Sequence, residues 1–193
     1  MKKKRISLRK LNAILGPVMI VLLLFHGITG AFQLTSLMPG GSVIRSILTL
    51  VLVVCVVIHA VLGTILTVES LVIWHRAGVS YFKNNEAFWI RRITGFAMII
   101  LIVYHVLVFS GTSGEAFRLN SFGGLQLAAH ILLALILAVH LIMNIQPLMI
   151  ALGIENRKFI KDVMIVLSIL MLLFALGFVA YYLRWNVLWR YGR

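Results

Sequence analysis

Residues 125–152 read LQLAAHILLALILAVHLIMNIQPLMIAL, a run of 28 residues without an Asp, Glu, Lys or Arg. About 20 predominantly apolar helical residues cross a bilayer core about 30 Å thick, so this run is long enough to span a membrane as one helix. Working outward, four more windows qualify, at about 11–34, 46–72, 93–110 and 163–183. The connections between them are too short to hold a soluble domain. The sequence predicts an all-α protein, an integral membrane bundle of five transmembrane helices. Residues 1–193 form a single domain with no internal linker and no repeat beyond the helices themselves.

Composition agrees. The chain is 62% apolar and 12% charged, whereas ordinary soluble domains are about 45–50% apolar and about 25% charged. A sphere of this size has too little interior for so much apolar surface. With 3 Pro and 1 Cys, collagen and a disulfide-rich scaffold are excluded. Cys55, in the second span, reads as a small apolar filler.

The net charge is +13, and its distribution follows membrane topology. Lys2, Lys3, Lys4, Arg5, Arg9 and Lys10 precede the first span; Arg76, Lys83, Arg91 and Arg92 separate the second from the third; Arg157, Lys158 and Lys161 separate the fourth from the fifth. Thirteen of the 18 basic residues thus fall on one side, against Arg45, Arg118, Arg184, Arg190 and Arg193 on the other. Cytoplasmic loops carry the excess of Lys and Arg, which predicts a cytoplasmic N-terminus and an outside C-terminus. Trp74 and Trp89 mark the inner interface, Trp185 and Trp189 the outer one. Topology accounts for the charge, and no nucleic-acid partner is expected. The basic leader also resembles a secretory signal, but the apolar run is long and no small-x-small cleavage site follows it. The first span is therefore expected to be retained.

Six histidines are the chemical anomaly. His26, His59, His105, His130 and His140 lie within spans, and His75 lies in the inner loop. An ionisable residue in hydrocarbon is costly and marks function by default. Depth sorts them. His26 is 15 residues beyond Leu11 and His105 is 12 beyond Ile93, both in the outer half; His59, 13 beyond Ser46, and His140, 15 beyond Leu125, run the other way and lie at or past the middle. The first and third helices offer one His each at an outer level, the second and fourth at an inner level. Two His from facing helices at one depth suit bis-imidazole ligation of a haem iron. Gly30 and Gly63 stand four residues after His26 and His59, on the same helix faces, where they leave room for a macrocycle edge. Zinc is the main rival, but it usually takes three or four ligands, often Cys or carboxylate, which are missing at these depths. Covalent c-type attachment is excluded because C-x-x-C-H is absent.

Arg91–Val108, RRITGFAMIILIVYHVLV, resembles the third helix of the five-helix dihaem cytochrome b anchor of succinate:quinone oxidoreductases and quinol:fumarate reductases. The matching residues are Arg92, Thr94, Gly95 and His105. IHAVLGTILTVES in the second helix resembles the family's His-Ala-x-x-Gly stretch through His59, Ala60 and Gly63. LFHGITG places His26 at the first ligand position and LAVHLIMN places His140 at the last. The likeness covers all four ligand helices. It implies two haem b groups: an outer one on His26 and His105, and an inner one on His59 and His140. It also implies a quinone as redox substrate, flavoprotein and iron–sulfur subunits docked on the cytoplasmic side, and a multi-pass location in a prokaryotic inner (cytoplasmic) membrane. Dicarboxylate chemistry would belong to those other subunits, since this chain has no dinucleotide fingerprint and no cysteine cluster. Two alternatives stay open: a haem b electron-transfer protein serving another membrane reductase or acting alone, and a non-haem transport or assembly protein.

The sequence departs from the family in three respects. His26 and His59 are only 33 residues apart, so the first outer loop is short. Acidic residues on the outer side are scarce, with Glu115 alone in the third loop. His130 is extra: it stands 10 residues before His140, near the depth of His105, as an alternative outer ligand to His26, a quinone contact or an interhelical hydrogen bond. Arg91 and Arg92 are topology charges or partners for haem propionates. Glu69 and His75 read as interface residues. Pro17 is expected to bend the first helix, and Pro147 with Asn144 the fourth, with the freed backbone groups satisfied nearby.

Overall fold

A computed structural model describes residues 7–77, 85–109 and 122–188. Lys2, Lys3, Lys4, Arg5, Lys83, Ser110, Glu115, Arg118, Trp189, Arg190 and Arg193, which entered the reading above, lie outside the described residues, as does the side chain of Trp185. Among the described residues there are helices and no strand: α1 (Leu8–Leu34), α2 (Val43–Ala77), α3 (Glu86–Phe109), α4 (Gly124–Ala151) and α5 (Arg157–Leu183), followed by a π turn over Arg184–Leu188. All five α-helices are long and apolar enough to cross a membrane.

α1, α2 and α5 contain their expected windows, α4 ends one residue short of its own, the described part of α3 ends at Phe109, and several helices begin earlier. α3 starts at Glu86 rather than near 93, and α5 at Arg157 rather than near 163. Hydropathy marks the stretch that suits hydrocarbon, whereas helix ends are set by capping. Ser7 accepts from the Lys10 amide at 3.3 Å, and Asn156 from the Phe159 amide at 3.1 Å, each satisfying a first-turn N–H. Gly153 closes the turn after α4 at φ +81°, a left-handed conformation that favours glycine.

Interhelical contacts fix the topology. His26 of α1 meets Thr49 near the start of α2, and Thr94 near the start of α3 meets His140 in α4. Asn186, just past α5, donates to the carbonyl of Phe122, just before α4, at 2.8 Å. With Trp74 near the end of α2 against Phe88 near the start of α3, consecutive helices are antiparallel. α5 returns beside α1 and runs parallel to it: Gly27 faces Phe174, Gly177 faces Ala31, and Arg184 donates to Ser36. Gly16 against Leu148 brings the start of α1 to the end of α4.

The outside of the bundle is apolar. Val21 is 67% exposed, Leu50 63%, Ile100 73% and Leu172 61%, a distribution that needs a lipid surround. Among the described residues the most enclosed positions include Ile145 on α4, Met171 and Tyr181 on α5, and Phe122 just before α4. His130 is among them at 1% exposed.

Candidate metal-binding histidine pairs

Toward one end of the bundle, His26 (α1) and His105 (α3) have ring centroids 6.0 Å apart with planes at 81°. Toward the other, His59 (α2) and His140 (α4) have centroids 6.4 Å apart with planes at 88°. These are the residues at matched depths in the sequence, brought together in the same pairs. Atoms of a five-membered ring with bonds near 1.35 Å lie about 1.15 Å from its centroid, and imidazole binds a first-row metal at about 2.0–2.1 Å. Two imidazoles holding one ion from opposite sides therefore have centroids about 6.3 Å apart. Both separations suit that arrangement. Among the described residues, no group of three or more His, Cys, Asp or Glu is placed to hold one metal ion, so each pair would offer an ion two imidazoles.

Each pair has one imidazole anchored by a threonine. At His140 the anchor also fixes the tautomer. Thr94 Oγ1 donates to the carbonyl of Ile90 at 2.6 Å, so at 3.0 Å its lone pair accepts the Nδ1–H of His140. The Nε2 of His140 is then the bare donor atom. A metal-bound histidine commonly gives its other ring N–H to such a partner. His26 Nδ1 stands in the same relation to Thr49 Oγ1 of α2, at 3.2 Å. The second imidazole of each pair, His59 and His105, has a buried Nδ1 without a hydrogen-bond partner.

Small residues flank the rings. A Cβ on Gly95 would lie 3.5 Å from His140 Cε1, an ordinary contact, so Thr94 orients the ring and Gly95 lies against it. Gly63, one turn from His59, faces only Arg92 Nη1, at 3.7 Å, and Gly30, one turn from His26, has nothing within 4 Å. Gly27, beside His26, went unnoticed in the sequence. A Cβ there would come within 2.4 Å of the Phe174 ring. Only a rotational register between α1 and α5 reveals that contact.

Around the His59–His140 pair the charge is basic. Arg92 lies over the Phe88 ring at 4.9 Å, and its buried Nε has no hydrogen-bond partner. With Arg9, Ser70 and Trp74 it lines a cleft of about 420 Å³. Two guanidinium groups and a hydroxyl suit an acidic ligand edge. Arg91 points elsewhere, donating through Nη1 to the carbonyl of Met143 at 3.4 Å. That carbonyl is the one Pro147, lacking an N–H, leaves without its helical partner. The freed group expected in the fourth helix is therefore satisfied by α3. Asn144 instead donates to the carbonyl of His140 at 2.6 Å.

His130 sits against His105, with centroids 5.2 Å apart, closer than two ligands on one ion. Its Nδ1–H donates to the carbonyl of Gln126 in its own helix at 2.6 Å, and its buried Nε2 has no hydrogen-bond partner. Phe109, Phe122 and Phe178 close around it at 5.1, 5.4 and 4.7 Å. Of the remaining candidates, His75 and Glu69 are exposed and Cys55 is a half-buried free thiol.

In comparisons with known proteins, no family model matches the chain, and neither does any curated protein or solved structure.

Proposed function

We propose that this chain is a dihaem b-type cytochrome and membrane anchor. It would pass electrons between membrane quinone and the flavin and iron–sulfur subunits of a complex like succinate dehydrogenase or fumarate reductase. The observation that carries the proposal is the pair of two-imidazole sets, one toward each end of the bundle, with near-perpendicular rings 6.0 and 6.4 Å apart. A single paired histidine has many uses; two such pairs stacked along one bundle form a route through it.

His26 and His105 hold one haem iron, and His59 and His140 the other. Bound there, haem supplies one-electron redox chemistry. The rest is the work of this chain's own residues. Thr94 holds His140 in the tautomer that presents Nε2, and Thr49 anchors the ring of His26. Gly30 and Gly63 keep side-chain bulk off the ligand faces. Arg92, with its unpartnered Nε, is the group to receive a propionate. The apolar helices exclude water, and the dielectric they create, with the second-sphere hydrogen bonds, tunes the potentials. The excess of basic residues on the side of the chain's start supports a cytoplasmic N-terminus. The His59–His140 haem then faces the soluble partners.

The test is an optical spectrum of membranes containing the full chain, dithionite-reduced minus oxidised, with haem quantified as the pyridine haemochrome. Two haem b per chain are expected. Membranes with no b-type α-band would overturn the proposal. Co-purification with a flavoprotein and an iron–sulfur protein separates an anchor of this class from a cytochrome working alone.

A further inference from the structure

Two buried ring nitrogens on neighbouring imidazoles have no hydrogen-bond partner. His130 Nδ1–H is committed to the Gln126 carbonyl, so its Nε2 carries a bare lone pair. That atom is buried and has no hydrogen-bond partner. His105 Nδ1 is buried and equally unpartnered. If His105 binds iron through Nε2, its Nδ1 carries a proton, and a buried N–H without an acceptor is destabilising. One nitrogen is a donor in search of an acceptor; the other is the converse.

Distance permits the match. With ring atoms about 1.15 Å from each centroid, centroids 5.2 Å apart allow two facing nitrogens to come within about 2.9 Å, an ordinary hydrogen-bond length. That approach needs the rings to turn from their present setting, with His130 Nδ1–H kept on the Gln126 carbonyl. Of the other neighbours, Phe109, Phe122 and Phe178 have no polar side-chain atom, and Tyr104, with its ring centroid 6.0 Å from that of His130, is the polar neighbour that serves as the control.

We infer that His130 is a positioning residue for the His26–His105 haem: it accepts the Nδ1–H of His105 on its Nε2 and passes the polarity on to the Gln126 carbonyl. The inference rests on the haem reading above. A relay ending on a carbonyl draws the proton of His105 outward and makes its ligating nitrogen more basic. It also holds the imidazole against rotation. A more basic ligand favours ferric iron, so this relay lowers the potential of that haem alone.

The experiment is a spectroelectrochemical titration of both haems in membranes of the full chain, comparing the unmodified protein with His130→Phe, His130→Gln and Tyr104→Phe. His130→Phe fills the volume without an acceptor. It is expected to keep two haems, raise one midpoint potential and leave the other in place. His130→Gln restores an acceptor oxygen and is expected to recover part of the shift. Tyr104→Phe is expected to change neither potential. Unchanged potentials in His130→Phe overturn the inference, as does a shift in Tyr104→Phe that matches it. Should His130→Phe lose a haem, His130→Gln decides. Retention of both haems near their native potentials supports the relay; loss of the same haem makes His130 a ligand or a packing residue and overturns it. If the unmodified chain holds no haem, the underlying reading fails first, before any variant is compared.

Discussion

Thr94 Oγ1 and His140 Nδ1 lie 3.0 Å apart across the α3–α4 interface, with the hydroxyl proton already given to the Ile90 carbonyl. On the proposed reading, the contact orients one haem ligand from outside the iron's own donor set. Thr94→Val keeps the shape and removes the acceptor. Partners of this kind are commonly worth about 10–100-fold in affinity, so Thr94→Val is expected to leave one haem per chain in a preparation that otherwise holds two. Thr94→Ser is expected to keep both. Haemochrome quantification after detergent washing reads the difference. Equal behaviour of the two variants would count against the orienting role.

Thr49 and His26, 3.2 Å apart, make the complementary prediction. Thr49→Val is expected to weaken the other haem, the one on His26 and His105, and to leave the His59–His140 haem alone. If the two haems differ in potential, redox titration of Thr49→Val and Thr94→Val reports opposite losses. The same haem lost in both variants would mean that the threonines do not act on separate pairs.

Gly27 is predicted to tolerate no side chain. A Cβ within 2.4 Å of Phe174 forces the ring to swing or α1 and α5 to part, and overpacking of this kind costs about 1–3 kcal/mol. Gly27→Ala is expected to lower the thermal midpoint in detergent, and the double change Gly27→Ala with Phe174→Leu to recover most of it. An unaffected single variant would show that the ring moves freely.

Arg91 and Pro147 form a mutational cycle. Arg91→Met leaves the Met143 carbonyl unpaired and is expected to cost about 1 kcal/mol, the low end for such a group, since the bond it removes is long at 3.4 Å. Pro147→Ala returns an N–H to the helix. In that background the loss of Arg91 is expected to be nearly neutral to stability in an unfolding titration. Strict additivity of the two changes would contradict the pairing.

The four paired histidines were legible because an ionisable residue stands out in an apolar run. Their pairing was legible because helix rise converts sequence distance into depth. Partners set by rotation about the helix axis were not. Thr94 belongs to a quoted motif, yet nothing in its spacing points to His140, 46 residues away. Gly30 and Gly63 share a face with a histidine, which spacing reveals; the constraint on Gly27 comes from Phe174 of α5, which spacing does not reveal. His130 was legible as extra, and its depth was right. Its hydrogen bond to Gln126 within α4 depends on a side-chain rotamer that periodicity does not encode.

The link between Arg91 and the carbonyl above Pro147 bears on how the chain enters a bilayer. Alone, α3 brings a guanidinium toward hydrocarbon, and α4 brings a carbonyl stripped of its helical donor. Each is a liability during insertion. Set side by side, the two defects cancel. The α3–α4 hairpin, rather than either helix singly, is then the natural unit of insertion, and the order of synthesis matters: the arginine emerges first and waits for the proline.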